Sequence, residues 1–181
     1  YASVTDWTAL GYVYGMMENM PQITALDTNS TYIDQATGAP KLSGKMIVLF
    51  GGPLVNAVVH YYEGQRIAPV RWALVGSWST GTEYYYDRQG NPVASMSITE
   101  IGGGHRDMML VEIFNDLNGN TVMIFSGFGW KGTFAAGLFF KSYIYPSRSQ
   151  YDHAWYLFEW DDSNSDGFVT VNEIQIPDYS H

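Results

Sequence analysis

One apolar run followed by glycines constrains the fold of this chain more than any other feature. Residues 45–50, Lys-Met-Ile-Val-Leu-Phe, show no alternation of polar and apolar side chains, which is typical of a strand buried on both faces. Gly51 and Gly52 follow directly, and residues 54–63 have the apolar spacing of a helix, with Pro53 suited to its first turn. A strand that turns through glycines into a helix is half of a βαβ unit, so the sequence predicts an α/β fold.

A second strand leads through glycines into a helix later in the chain. Residues 108–114 and 121–125 are β-type segments that flank Asn118 and Gly119, a strong hairpin signal. Residues 131–143 then have the pattern of a buried helix. The sequence predicts an antiparallel strand pair followed by a helix that packs on the sheet.

The middle of the chain is rich in short β-type segments. Residues 71–77, 82–87 and 93–99 are separated by turn residues, which predicts an antiparallel extension of the sheet. Residues 153–160 alternate as a further strand should.

The pattern in the first part of the chain indicates a structural segment without functional residues. Residues 6–19 have the spacing of an amphipathic helix that Pro21 ends, and residues 22–43 are polar and turn-rich, which indicates a loop. We therefore predict a single α/β domain over residues 1–181. It has a mixed sheet with flanking helices, an antiparallel extension and a C-terminal calcium loop.

That calcium loop spans residues 162–173 and matches the ligand spacing of an EF-hand loop. Ligands are expected at loop positions 1, 3, 5, 7, 9 and 12, and these positions hold Asp162, Asn164, Asp166, Phe168, Thr170 and Glu173. Phe168 offers only its carbonyl oxygen, and Glu173 returns to chelate with both carboxylate oxygens. The sequence predicts a calcium ion as cofactor, and the alternative is an acidic, solvated turn that matches by accident.

The segments around the loop do not predict an EF-hand helix pair. Residues 156–160 alternate as a strand does, and Pro177 forbids a long exit helix. Because a calcium sensor needs two helices that change their angle, a fixed structural clip is the better interpretation.

Composition narrows the classes of partner. The formal net charge of −9 repels phosphate backbones, so nucleic acid is not expected as a partner. No apolar run approaches the ~20 residues of a membrane span, and cysteine is absent.

A chain that begins at Tyr1 fits a mature exported protein, and the sequon at Asn29 would permit glycosylation.

No pattern predicts catalysis. The four histidines have no metal-ligand spacing, and Ser126 lies at a strand end without a nucleophile motif. Gly51 and Gly52 could present N–H groups to an anion, and the segment Gly102 to His105 could form a ligand loop. For Gly51 and Gly52 we favour the alternative of a tight turn from strand to helix. For the segment Gly102 to His105 we favour a flexible connection. We expect a protein that is not an enzyme.

Two segments resemble a known family of surface proteins. Residues 45–56, Lys-Met-Ile-Val-Leu-Phe-Gly-Gly-Pro-Leu-Val-Asn, resemble the strand and Gly-Gly-Pro-x-x-Asn element of archaeal S-layer and S-layer-like proteins. Residues 125–136 resemble their strand and Gly-Thr-x-Ala-Ala helix. The similarity covers residues 45–64 and 108–140, and it implies an exported subunit of a surface lattice, filament or tube without catalytic residues.

These observations lead to two functional hypotheses. The first is an extracellular, calcium-stabilised structural protein at the cell surface that forms homo-oligomers by self-assembly. The alternative is a secreted calcium-dependent carbohydrate-binding module in which Trp72, Trp78 and Trp130 could line a platform for cell-surface glycans. At this abundance of aromatic residues, core and interface roles are the more common interpretation of these tryptophans. A hydrolase would require a cleft that gathers histidines and carboxylates, and no motif predicts one.

Overall fold

The computed structural model of this protein describes residues 4–16 and 22–175. The helices are α1 (Val4–Met16), α2 (Ala57–Gly64), α3 (Ile98–Gly103) and α4 (Trp130–Phe139). The strands are β1 (Met46–Phe50), β2 (Val70–Val75), β3 (Thr82–Asp87), β4 (Pro92–Ser97), β5 (Arg106–Asn115), β6 (Thr121–Gly127), β7 (Trp155–Asp161) and β8 (Ile174–Gln175). The predicted helix end at Asn19 and Pro21 lies outside the described residues, as do Pro177 and His181.

The main sheet is mixed and has five strands in the order β1-β6-β5-β7-β8. Strand β1 runs parallel to β6, with Ile47 opposite Val122, while the remaining pairs are antiparallel. This sheet and its helices confirm the predicted α/β class.

A second, antiparallel sheet has the order β2-β3-β4. Trp72 on β2 pairs with Tyr85 on β3, and the two neighbouring tyrosines, Tyr84 and Tyr86, stack on the other face. The predicted antiparallel extension is therefore a separate sheet of three strands.

Strands β5 and β6 form the predicted hairpin. Asn115 pairs with Thr121 next to the turn, where Gly119 has a φ of +73°. The carboxylate of Asp116 accepts hydrogen bonds from the backbone N–H groups of Asn118 and Asn120, at 2.8 and 2.9 Å. A residue with positive φ is needed here, which is why Asn-Gly predicts the turn so well.

The two faces of the main sheet carry different layers. Met123 and Phe125 of β6 belong to a core with α1 and α4, whereas Val122 and Ile124 belong to a core with α2. Because successive strand residues point to opposite faces, α2 and α4 lie on opposite sides of the sheet. The helix after β1 and the helix after β6, which are parallel strands, therefore pack on opposite faces of the sheet.

The three-stranded sheet covers the same face as α2, over β5 and β7. Val70 and Tyr85 form a buried cluster there with Leu110 and Leu157. On the other face, α1 lies close to α4 at Gly137, where an added Cβ would come within 2.9 Å of Ala9. The sequence predicts that Gly137 permits close packing on the sheet, whereas in the structure it permits the close approach of α1.

Helix α2 begins three residues later than predicted. The side chain of Asn56 accepts hydrogen bonds from Val58 N and Val59 N and donates one to the carbonyl oxygen of Phe50. Asn56 is thus the helix cap, and it also ties the helix to the end of β1. The two residues between Pro53 and the cap, Leu54 and Val55, are exposed.

The segment Gly102 to His105 is not the flexible connection that we predicted. Gly102 lies in α3, which starts with a reciprocal capping box between Ser97 and Glu100 and ends at Gly104 with a φ of +73°. The signal was present in the sequence as Ser-Ile-Thr-Glu before the glycines.

In the described part of the chain, no helix has the length and apolar character needed to cross a membrane.

Candidate metal centre

The metal loop, residues 162–173, connects two paired strands. It follows β7 directly and ends in a 3-10 turn, Val171–Glu173, after which Ile174 of β8 pairs with Trp160 of β7. The backbone N–H of Asp162 donates to the carbonyl oxygen of His105 at 2.8 Å, which anchors the start of the loop to the sheet. The strand-like entry predicted from the sequence is confirmed, and both ends of the loop are held.

The fold gathers three of the predicted ligands. Asp162, Asp166 and Glu173 each offer a carboxylate oxygen, and these atoms lie within 4.8 Å of one another. Asp162 and Glu173 are buried, with exposed fractions of 4% and 5%, whereas Asp166 is exposed. Within residues 4–16 and 22–175, this is the only group of three or more histidines or carboxylates placed to hold a metal ion.

The turn that brings these oxygens together is made by backbone N–H groups. Asp162 accepts hydrogen bonds from Asp166 N and Gly167 N, both at 3.1 Å. Gly167 has a φ of +79°, a conformation that favours glycine. The glycine at loop position 6 is therefore required by the bend, as the motif implies.

The other three predicted ligands carry no carboxylate, and the side chains of two of them contact the cluster. The amide of Asn164 bonds to Asp166, with its oxygen accepting from Asp166 N at 2.9 Å. The hydroxyl of Thr170 donates to Glu173 Oε2 at 2.9 Å. The side chain of Phe168 is 71% exposed, so the residue can offer only backbone to the loop interior.

Glu173 carries an oxygen without a partner. Its Oε2 atom accepts hydrogen bonds from Thr170 N and Thr170 Oγ1, and one from Trp160 Nε1 at 3.3 Å. Its Oε1 atom is buried and accepts no hydrogen bond from the residues that the structure describes. A buried carboxylate oxygen left unpaired is unfavourable by about 1–3 kcal/mol or more. A coordinated cation would supply the missing partner.

His105 is a member of the site that the sequence did not predict. Its Nδ1 atom lies 2.9 Å from Asp162 Oδ2, although the two residues are 57 positions apart. Burial opposes ionisation of Asp162, but the hydrogen bonds from His105, Gly167 and Asp166 lower the pKa of this carboxyl below its ordinary value. The first loop ligand is thereby kept as a carboxylate.

Lys131 is the second unexpected neighbour. Its ammonium group donates to the carbonyl oxygens of Gly104 and Gly167, at 2.6 and 2.9 Å, and lies 4.7 Å from the centroid of the Trp160 ring. Lys131 is only 9% exposed. A buried ammonium group in these contacts links α4, the end of α3 and the metal loop.

Two other buried carboxyl groups contact β2 of the second sheet. Glu112 is fully buried and accepts a hydrogen bond from Val70 N, while Glu63 accepts one from Trp72 N. Burial raises the pKa of Glu63 to about 7 and that of Glu112 well above its usual value. Their hydrogen-bond partners are backbone groups of β2, so these carboxyl groups join the layers.

A pocket opens where β1 and β6 end. It has a volume of about 200 Å³, and its lining includes Trp72, Phe128 and Trp130 with the carboxylate of Asp6. Asp107 already accepts hydrogen bonds from Gly129 N and Gly132 N at the start of α4. The helix start is therefore occupied by a carboxylate of the chain itself rather than left for an anion.

No model of a known protein family matches this chain, and searches of curated proteins and of solved structures find no match either. The function proposed below follows from the metal loop, the groups around it and the surface of the molecule.

Proposed function

We propose that this protein is an extracellular structural protein, stabilised by calcium, that assembles with itself into a cell-surface lattice, filament or tube. The observation that carries the proposal is the metal loop, in which Glu173 buries an unpaired oxygen beside the carboxylates of Asp162 and Asp166. Apolar side chains at the surface and the resemblance of two segments to S-layer proteins support the assembly part of the proposal.

Calcium fits the loop better than other common cations. The candidate ligands are all oxygens, which suits calcium and magnesium rather than zinc. Calcium accepts six to eight oxygens in irregular arrangements, whereas magnesium requires a near-ideal octahedron. A loop that offers side-chain and carbonyl oxygens from Asp162 to Glu173 suits the larger ion.

A structural role follows from how the loop is held. Its ends continue into β7 and β8, which pair with each other, and Lys131 ties its centre to α4. A sensor loop joins two helices whose angle changes, while this loop joins two strands of one sheet. Calcium bound here would hold the edge of the sheet in one conformation. Extracellular calcium sites of this kind need only millimolar-range affinity.

Self-assembly is supported by the apolar surface. Leu54, Val55, Trp78 and Trp130 are 54 to 61% exposed. Exposed apolar groups that lie together mark interaction surfaces in soluble proteins.

Asn29, the predicted glycosylation position, is also exposed. The proposal includes no catalytic activity.

The experiment compares the purified protein in calcium and in a chelator. Isothermal titration should show one calcium site, and light scattering with electron microscopy should show ordered assemblies that dissolve in EGTA. The Glu173→Gln variant should lose both properties, whereas Asp152→Asn, which changes an exposed carboxylate, should keep both. A chain that stays monomeric and does not respond to calcium would refute the proposal.

Carbohydrate binding is a second candidate function because Trp72 and Trp130 line the same pocket. Trp78 stacks on Trp72 with ring centroids 6.0 Å apart. Indole faces of this kind can pack against sugar rings. A glycan array would test this function, which predicts binding that is lost in Trp72→Ala and in Trp130→Ala.

A further inference from the structure

Two carboxyl groups bind the outer edge of the three-stranded sheet. Strand β2 lies at one edge of this sheet, in the order β2-β3-β4. Glu112 of β5 accepts a hydrogen bond from Val70 N at 2.9 Å, and Glu63 of α2 accepts one from Trp72 N at 2.8 Å. Because these N–H groups are two positions apart in the strand, both point away from β3. The carboxyl groups therefore bind β2 where a neighbouring strand would otherwise pair. We call the contact made by these four residues the seam.

The seam joins three parts of the fold. Leu110, Glu112 and Phe114 alternate along β5, so their side chains point to the same face of the main sheet. Leu110 belongs to the buried cluster with the three-stranded sheet, and Phe114 belongs to the core with α2. Glu112 therefore stands where the main sheet, α2 and β2 meet.

Glu112 has a buried oxygen without a partner. Its side chain is 0% exposed. The Oε1 atom accepts the hydrogen bond from Val70 N, whereas Oε2 has no hydrogen-bond partner among the residues that the structure describes. Burial of an unpaired charge is far less favourable than burial of a neutral polar group. The surroundings of Glu112 thus favour a carboxyl group that carries a proton.

The cationic side chains around the seam are engaged elsewhere. In the described part of the chain, neither Glu63 nor Glu112 forms an ion pair. The guanidinium of Arg88 attracts Glu112 but donates its hydrogen bonds to two carbonyl oxygens between α2 and β2. Arg71, which attracts Glu63, lies 4.9 Å from the centroid of the Tyr86 ring. The seam therefore has no counter-charge in direct contact.

Acidic groups around the seam act in the same direction as burial. Burial, and then the charge of Glu63, raise the pKa of Glu112 well above its ordinary value. The hydroxyl of Tyr85 is also near both carboxyl groups, and burial raises its pKa well above 10, so it stays neutral. Arg66 and Asp87 line a small cavity beside Glu63 and add charges of opposite sign.

We propose that Glu112 carries a proton while the seam is closed, and that loss of this proton separates β2 from α2 and from the main sheet. The ionised carboxylate requires water, and water reaches Glu112 when β2 moves away from β5. The seam is then a pH-sensitive contact between two layers of the fold. This inference depends neither on calcium nor on self-assembly.

A rise in pH should open the seam. In the closed seam burial raises the pKa of both carboxyl groups, whereas water restores ordinary values in the open seam. The closed seam thus binds the protons more tightly, and its advantage is complete below pH 4.5, the ordinary value of glutamate. It decreases as the pH rises through about 7 at Glu63 and decreases further when Glu112 ionises.

Hydrogen exchange at the amides of Val70 and Trp72 measures opening of the seam. Exchange of the unmodified chain is compared at pH 6 and pH 9 in EGTA, after correction for the intrinsic effect of pH on exchange. Protection of these two amides should fall by roughly tenfold or more. The amide of Ile124, in the interior strand β6, should keep its protection. An equal fall at all three amides would show global unfolding and overturn the proposal.

The variant Glu112→Gln removes the ionisable group and keeps its shape. Its side-chain oxygen can still accept the hydrogen bond from Val70 N. At pH 9 the Val70 and Trp72 amides should be protected roughly tenfold better than in the unmodified chain. The control Asp152→Asn, which changes an exposed carboxylate, should show the same fall as the unmodified chain. A fall in Glu112→Gln as large as in the control would overturn the proposal.

Carbon-13 NMR of the carboxyl groups tests the proton directly and requires no variant. The Glu112 carboxyl carbon, assigned through its bonds to the backbone, should have the chemical shift of a protonated group at pH 6. Its titration should lie above that of Glu63. A Glu112 carboxyl that is already ionised at pH 6 would overturn the proposal.

The metal loop provides a test of independence. The variant Glu173→Gln, which should lose calcium, should open the seam at the same pH as the unmodified chain. Failure of calcium binding or of assembly would therefore overturn the proposed function and leave the seam standing. Exchange at Val70 and Trp72 that does not depend on pH would overturn the seam and leave the proposed function standing.

Discussion

The ammonium group of Lys131 donates a hydrogen bond of 2.9 Å to the carbonyl oxygen of Gly167, the residue at the bend of the metal loop. The two residues are 36 positions apart in the sequence. Since Lys131 stands in the first turn of α4, the position of the loop is coupled to the helix that packs on the sheet. Trp130, beside it, lines the pocket at the end of β6.

Substitution of Lys131 should loosen the metal loop. The change Lys131→Met keeps the aliphatic stem but removes two hydrogen bonds from a charged donor, each worth about 1.5–3 kcal/mol. We expect calcium affinity to fall by roughly tenfold or more, as measured by isothermal titration. Lys141→Met, which changes an exposed lysine over the ring of Tyr12, should keep the original affinity. Equal affinities in the two variants would contradict the coupling.

Neutralising Glu173 should separate metal binding from folding. The change Glu173→Gln removes the charge associated with the unpaired oxygen, so the metal-free protein should keep or slightly raise its melting temperature. The rise in melting temperature that we expect calcium to produce in the unmodified protein should disappear. Differential scanning calorimetry with calcium and with EGTA measures both effects. A calcium-dependent rise that persists in Glu173→Gln would exclude Glu173 as a ligand.

Stability should fall as the pH rises through neutrality because of Glu63. Burial raises the pKa of this carboxyl to about 7, above its ordinary value of 4.5, so the folded state binds the proton more tightly than the unfolded state. Its contribution is complete below pH 4.5 and is lost as the pH rises through 7. Urea unfolding in EGTA should show a decrease of about 1–3 kcal/mol between pH 5 and pH 8 from this group.

The variant Glu63→Gln isolates that contribution. Glutamine can still accept the hydrogen bond from Trp72 N but does not ionise. The variant should therefore be more stable than the unmodified protein at pH 8, and the difference should vanish towards pH 5. A difference that is independent of pH would show that Glu63 does not titrate in this range.

Removal of the Asp107 carboxylate should destabilise the start of α4. Asp107 is 2% exposed and accepts hydrogen bonds from Gly129 N and Gly132 N, the latter at 2.6 Å. The change Asp107→Ala leaves those donors unpaired, and we expect a loss of about 2–3 kcal/mol in the free energy of unfolding. Chemical denaturation measures it, with Asp152→Ala as the exposed control. A loss no larger than that of the control would refute the capping role.

Local signals in the sequence determined most of the secondary structure. The apolar run at residues 45–50 and the Asn118-Gly119 turn predict their strand and hairpin because adjacent residues encode burial and backbone conformation. The candidate ligands of the metal loop lie within twelve consecutive positions, so their spacing alone predicts the bend that gathers Asp162, Asp166 and Glu173. The capping box at Ser97 was an equally local signal, and it was missed.

Tertiary structure decided what lies next to these elements. The parallel pairing of β1 with β6, the contact of His105 with Asp162 and the contact of Lys131 with Gly167 all join residues far apart in the sequence. The pocket also joins distant residues, because its lining comes from α1, β2, α4 and the segments that follow β1 and β6. Such contacts depend on which surfaces the whole chain buries together, and no short stretch of sequence carries that information. The candidate metal ligands are local and were predictable, whereas the groups that hold the loop in place are not.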